Sequence, residues 1–436
     1  MMLRSAVVAA LIAAWFAAPT GAMAGTARFS APASAVAGRE PSGLVAADFD
    51  RDGNPDVATA DFRSATVSVL RGRGDGSLER RVAYRVTRRP EWVLAPDLNG
   101  DGWPDVVTAS SDRNGTVSVL LGDGAGRLVA GARYPVGAGW PAAGDVDEDG
   151  APDVVAGSEH RGLVVLRGTG DGKLAAGPRI AGPYSTSIAL ADVGGDGHLD
   201  AVALTIDGRL VVFRGTGRGG FDAPVTFRTG GDVAVDLNLA DLDRDGDPDA
   251  VITELDADRV IVMHNTAGRF EAPARYRMPD GPFGTRVADF DGDGVPDIAT
   301  GSLYRDPVVW PGLGDGTFAP FSRIPWFGNT AGDVADFNRD GRPDLAFADG
   351  DGVLVSVYLN WTGLAAPPCV VLNVLHWSLR KAKRYIGFGG CRTGIVTYRG
   401  SSGVRKGRVI EQQPFWGAVR PSGSTVDVVV SLGRAH

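Results

Sequence analysis

One acidic nine-residue phrase returns seven times along this chain at a near-constant step. It starts at Asp48, Asp97, Asp145, Asp192, Asp241, Asp289 and Asp336, with spacings of 49, 48, 47, 49, 48 and 47 residues. Clear copies read Asp48-Phe-Asp-Arg-Asp-Gly-Asn-Pro-Asp56 and Asp289-Phe-Asp-Gly-Asp-Gly-Val-Pro-Asp297. A period of roughly 20 to 50 residues means one small unit repeated, each copy burying its neighbour's apolar face. Several carboxylates within nine residues repel one another, and such a phrase is sustainable only with positive charge among them.

The residues between the phrases read as short strands and turns. In the second unit, Trp92–Ala95, Val106–Ala109, Thr116–Leu120 and Leu128–Val136 are apolar or β-branched runs separated by Gly, Asp and Asn. Each unit is therefore a four-stranded antiparallel meander, and seven of them fit a mainly β, seven-bladed β-propeller over residues 25–363. The seventh unit lacks a fourth strand. The segment Phe29-Ser-Ala-Pro32 repeats the phrase that opens fourth strands at Phe221 and Phe270. The N-terminal segment is thus expected to supply the missing strand and close the ring, removing two exposed sheet edges.

The phrase has the pattern of an oxygen cage. Position 1 is the starting aspartate. Position 3 is Asp50, Asn99, Asp147, Gly194, Asp243, Asp291 and Asn338 in chain order, and position 5 is Asp52, Asp101, Asp149, Asp196, Asp245, Asp293 and Asp340. Position 9 is Asp56, Asp105, Asp153, Asp200, Asp249, Asp297 and Asp344. A backbone carbonyl is expected from position 7, at Asn54, Trp103, Ala151, His198, Asp247, Val295 and Arg342. Position 6 is Gly in all seven copies, as a turn with a left-handed residue demands. A flexible all-oxygen cage suits Ca²⁺ better than Mg²⁺. Six or seven calcium sites are expected. The loop at Asp192 should be weak or empty, because Gly194 offers no oxygen.

Charge and the chain ends divide the molecule. Arg4, the apolar run Ala6–Ala18 and Ala22-Met-Ala24 have the form of a secretory signal over residues 1–24. The chain is then expected to be secreted, extracellular or wall-associated. Residues 25–363 carry a net charge of −18 and residues 364–436 a net +9, so a boundary is expected near Gly363. Seven divalent ions would bring the first part to about −4. Cys369 and Cys391, the only cysteines, read as one disulfide in an exported chain.

The acidic loops, with turns such as Gly72-Arg-Gly-Asp-Gly76 and Gly168-Thr-Gly-Asp-Gly172, resemble FG-GAP/VCBS repeats, the blades of integrin-α-type propellers. That resemblance implies a calcium-binding propeller found in adhesion and lectin-like proteins and as an appendage of extracellular enzymes. The tail, through Leu379-Arg-Lys-Ala-Lys383, Val404–Ile410, Gln412-Gln-Pro414 and Gly423–Gly433, resembles a PASTA domain, with a helix over Ser378–Ile386 against three strands. The PASTA resemblance implies either peptidoglycan recognition or a spacer. Its basic charge suits an anionic wall polymer, or is simply a solvated surface.

The expected partner is an extracellular glycan or protein. Trp92 and Trp140 stand five residues before their loops, with Tyr184, Phe283, Trp326 and Phe327 in other crossings. These rings would either stack on a ligand or pack blade against blade. An extracellular polysaccharide-active enzyme is the alternative, with Glu159, His160, Asp207, Asp256, Asp258 and Asp306 near the channel. A purely structural wall protein is the third reading. The acidic main region argues against nucleic acid.

Overall fold

The computed structural model describes residues 26–433 apart from 112–114, 159–161, 232–233, 279–280, 304, 325–330 and 351. The expected signal segment, Glu159, His160, Trp326 and Phe327 lie outside the described residues. Among the described residues the chain is mainly β, with seven four-stranded antiparallel sheets and one helix. No described helix is long and apolar enough to cross a membrane.

Each sheet is a meander built on the acidic loop. In the first, strands Pro41–Ala47, Asp56–Asp61, Thr66–Leu70 and Val82–Arg85 pair in that order. The loop is the first hairpin turn: Ala47 pairs with Asp56, and Gly144 with Asp153, Ala191 with Asp200, Ala240 with Asp249 in later sheets. The hairpin therefore places positions 1 and 9 side by side at the mouth of two paired strands.

Burial explains the composition of each strand. Second strands such as Asp153–Ser158 and Asp200–Thr205 are buried throughout, and fourth strands such as Val225–Arg228 are largely exposed edges. Successive side chains of a strand point to opposite faces. Accordingly Ala201 and Ala203 join a core shared with the preceding sheet, through Val155 and Val165. Val202 and Leu204 join a core shared with the next sheet, through Ile252 and Ile261. Burial of apolar area between neighbouring sheets supplies the main stabilising term, at about 25 cal/mol per Å².

The first strands of successive sheets pack on one another, and Gly332–Ala335, the first strand of the last sheet, packs on Pro41–Ala47 of the first. The N-terminal strand Ala33–Val36 pairs with Leu354–Tyr358 as the fourth strand of that last sheet. This is the exchange expected from Phe29-Ser-Ala-Pro32, and a bridge from Phe29 to Asn360 extends it. The repeats thus form a β-propeller-like arrangement of sheets.

The tail holds helix Leu379–Phe388, capped by Ser378, and a three-stranded sheet of Arg392–Arg399, Thr425–Ser431 and Val409–Gln413. Cys369 and Cys391 are joined in a disulfide. Val370 and Val419 of the tail share a core with Ala33, Val57 and Leu359 of the repeats, so the tail packs where the chain ends meet.

Candidate metal centres

The seven loops share one backbone scaffold. Position 6 has φ between 81° and 96° at Gly53, Gly102, Gly150, Gly197, Gly246, Gly294 and Gly341, a region that favours glycine. Its N–H donates to the position 1 carboxylate in every copy, from 2.7 Å at Asp192 to 3.1 Å at Asp241. The position 7 N–H donates to the position 5 carboxylate, as in Asn54 to Asp52 and Trp103 to Asp101. These bonds shape the turn and leave other carboxylate oxygens facing the loop interior.

Position 9 is a strap as well as a candidate ligand. Asp56 is fully buried and accepts from Phe49 N (3.0 Å) and Gly72 N (2.7 Å), joining the loop to the end of the third strand. Asp105, Asp153, Asp249, Asp297 and Asp344 repeat both bonds. Burial pushes Asp56 up to about 7, Asp105 and Asp153 to about 6, and Asp297 and Asp344 to about 8, against the backbone hydrogen bonds that hold them down. Nearby loop carboxylates such as Asp50 and Asp48 push in the same direction as burial. A carboxylate so placed keeps its proton or takes a counter-cation.

The loops converge as the spacing requires. Oxygens of Asp48, Asp50 and Asp56 lie within 4.8 Å of one another, as do those of Asp145, Asp147 and Asp153, and of Asp289, Asp291 and Asp297. In the fifth loop Asp241, Asp243 and Asp245 form such a group. The buried Oδ1 atoms of Asp48, Asp97 and Asp147 have no hydrogen-bond partner. A buried carboxylate oxygen without a donor is costly. An oxygen-seeking cation in each of these three loops would satisfy its orphaned oxygen, so these residues fit Ca²⁺. In the second and seventh loops the position 3 side chain bonds sideways instead, Asn99 Nδ2 to Asp101 and Asn338 Nδ2 to Asp340. The position 7 side chains go different ways: Asn54 Nδ2 donates to Asp52 of its own loop, Trp103 lies under Arg51, and Arg342 reaches Thr362 O while pairing with Asp340 at 3.2 Å.

Three features escaped the reading of the sequence. Position 2 is a buried apolar wedge in every loop (Phe49, Leu98, Val146, Val193, Leu242, Phe290, Phe337). Position 4 is left-handed in every loop, and where it is not Gly it bridges to the next one. Arg339 donates to Gly53 O, Arg51 stacks on Trp103, Glu148 pairs with His198 and Arg244 donates to Gly294 O. Finally, the residue at the end of the third strand brings an arginine to three loops and a histidine to a fourth. Arg71 lies 3.3 Å from Asp50, Arg167 3.6 Å from Asp147, Arg214 3.0 Å from Asp200, and His264 Nδ1 3.4 Å from Asp249. The shared Arg-Gly after an apolar strand at 71, 167 and 214 was the available signal.

Trp92 and Trp140 do come together, ring centroids 4.0 Å apart, both half-buried between adjacent sheets. They are equivalent in spacing but not in register. Trp92 pairs with Ala109, whereas Trp140 is the extra residue of a bulge with φ 51°. Of the other channel candidates, Asp207 pairs with Arg209, and Asp258 accepts from Gly281 N.

A family model described as an FG-GAP-like repeat matches residues 97–156, 145–203, 192–252, 241–300 and 289–347, each match spanning two successive acidic loops. No curated protein matches the chain. Among solved structures, the mercury-soaked crystal structure of BBS1N in complex with ARL6DN superposes with a TM-score of 0.57 at 12% identity. It covers 77% of this chain and 97% of that one, and the lead-soaked form gives the same values. Raptor from Chaetomium thermophilum superposes with a TM-score of 0.54 at 16% identity, covering 77% of this chain and 29% of Raptor. At these identities the likeness is one of fold.

Proposed function

Because the chain belongs to the FG-GAP-like repeat family, we propose that it is a secreted, calcium-stabilised, seven-bladed propeller that binds an extracellular glycan or protein. The observation that carries the metal reading is the set of orphaned, buried carboxylate oxygens at Asp48, Asp97 and Asp147. A bound divalent ion would supply the positive charge that lets each first hairpin close. The chain's own residues orient the cage: position 6 fixes position 1, and position 9 straps the loop to the third strand. The role is binding, not catalysis.

The seven sheets, the packing of the last on the first and the N-terminal strand at Ala33–Val36 support a closed ring of seven blades over residues 25–363. The helix and three strands after Cys369 support a PASTA-like reading of residues 364–436. With a net charge of +9, that domain would associate with peptidoglycan or another anionic wall polymer. The BBS1N neighbour is itself in a protein complex, which favours a protein ligand as readily as a glycan.

The test is a binding screen of the full chain against glycans and cell-wall fragments, with and without chelator, beside elemental analysis of the desalted protein. Calcium retained on the protein, and a retained fragment lost on chelation, are expected. Protein free of divalent metal would end the calcium reading, and soluble hydrolysis products would move the assignment to an enzyme.

A further inference from the structure

The fourth acidic loop has a different electrostatic solution from the other six. Its third position is Gly194, and a Cβ built there would lie 1.5 Å from Arg214 Nη1, with only that guanidinium among its nearest neighbours. The arginine occupies the space a position 3 side chain would need. Its Nη1 lies 3.0 Å from Asp200 Oδ2, and Asp200 is fully buried. In the other six loops that oxygen accepts the position 2 amide. Here the guanidinium replaces it, and Val193 N turns to Ala191 O at 3.0 Å. Arg214 Nη2 continues to Ala267 O of the next sheet at 2.9 Å, beside Gly268, where a Cβ would again collide with it.

The neighbouring arginines behave differently. Arg71 and Arg167 also reach the next sheet, at Ala125 O and Arg218 O, but within their own loops they meet position 3 carboxylates rather than position 9, and Asp48 Oδ1 and Asp147 Oδ1 stay unmatched there. In the fourth loop Asp192 accepts from Asp196 N and Gly197 N, the same two bonds that position 1 makes in the third, fifth, sixth and seventh loops, so the difference lies at positions 3 and 9. A side-chain cation, tethered and always charged, therefore stands where the other loops offer oxygens to a dissolved one.

We propose that Arg214 is the resident cation of the fourth loop, so that this sheet closes without metal while locking onto the next sheet. The proposal rests on the calcium reading of the other loops only for its contrast, since the ion pair itself is independent of it.

Two variants of the full chain test it. In G194D/R214L the position 3 carboxylate is restored and its space vacated. Gly194 is not left-handed, so Asp is accommodated there. Leu stands at the matching strand ends as Leu121 and Leu359. Native mass spectrometry in calcium should count one more ion on this variant than on the wild type, and an equal count would overturn the proposal. R214Q keeps the shape and removes the charge. Its melting temperature should fall by several degrees, equally in calcium and in chelator, and an unchanged value in chelator would also overturn the proposal. A wild type that binds no calcium would instead remove the calcium reading, and the R214Q melt in chelator would then decide the role of Arg214 alone.

Discussion

Arg339 lays its guanidinium over the backbone of the first acidic loop, with Nη2 2.7 Å from the carbonyl oxygen of Asp52. The two residues are 287 apart in sequence, yet they join the last loop to the first. Arg339 reaches there from a left-handed backbone, φ 59°, a conformation that costs a non-glycine residue about 1 kcal/mol. Arg339→Ala loses the bonds and retains that cost. Arg339→Gly loses the bonds and relieves it. Urea unfolding should therefore rank wild type, then Gly, then Ala, with the two variants about 1 kcal/mol apart. A Gly variant at least as stable as the wild type, with Ala equal to the wild type, would mean that the bridge carries no stability.

Positions 3 and 9 carry different duties, and substitution separates them. Asp56→Ala leaves Phe49 N and Gly72 N without their buried acceptor, a loss of about 3 kcal/mol in chelator, and a larger one in calcium because a cage oxygen goes with it. Asp50→Ala removes a candidate ligand and no strap. It should weaken calcium binding, measured calorimetrically, and leave the melting temperature in chelator nearly unchanged.

The pH dependence follows from the strap aspartates. Burial raises Asp56, Asp297 and Asp344 from 3.8 to about 7 or 8 in the folded protein. In chelator the folded state then binds more protons than the unfolded state between these values. That contribution is full below about pH 4 and is lost as pH rises toward 8. Calcium reverses the sign, because its ligands must be deprotonated. Scanning calorimetry should show a larger calcium-induced rise in melting temperature at pH 8 than at pH 5. A rise that shrinks with pH would contradict the assignment of these carboxylates to the cage.

The Trp92–Trp140 contact has its own test. Offset or tilted ring pairs contribute about 0.5–1.5 kcal/mol beyond burial. A double-mutant cycle of Trp92→Leu and Trp140→Leu should return coupling in that range if the rings hold two sheets together. Coupling near zero, with loss of ligand binding, would assign them to the ligand face.

What was legible in the sequence, and what was not, divides along physical lines. The hairpins were legible because residues 47 to 56, and their six counterparts, carry their own turn chemistry and strand alternation locally. The N-terminal strand was legible because Phe29-Ser-Ala-Pro32 copies an internal phrase. The bridges from Arg51, Arg244 and Arg339 were not, since each partner lies on the neighbouring sheet and spacing alone does not say where a side chain reaches. Trp140 misled for a related reason: one bulged residue shifts it out of the register that Trp92 keeps. Gly194 marked the fourth loop as deficient in oxygen, but Arg214 as its compensation needed the fold.

The central claim is that dissolved calcium neutralises these buried carboxylates and lets the sheets assemble. Thermal unfolding of the full chain at pH 7.5, in calcium and after chelation, tests it most directly. A melting temperature lowered by roughly 10 °C or more on chelation, in the range that the loss of several kcal/mol implies, and restored by calcium, is the result expected. Superimposable curves in calcium and chelator would contradict it.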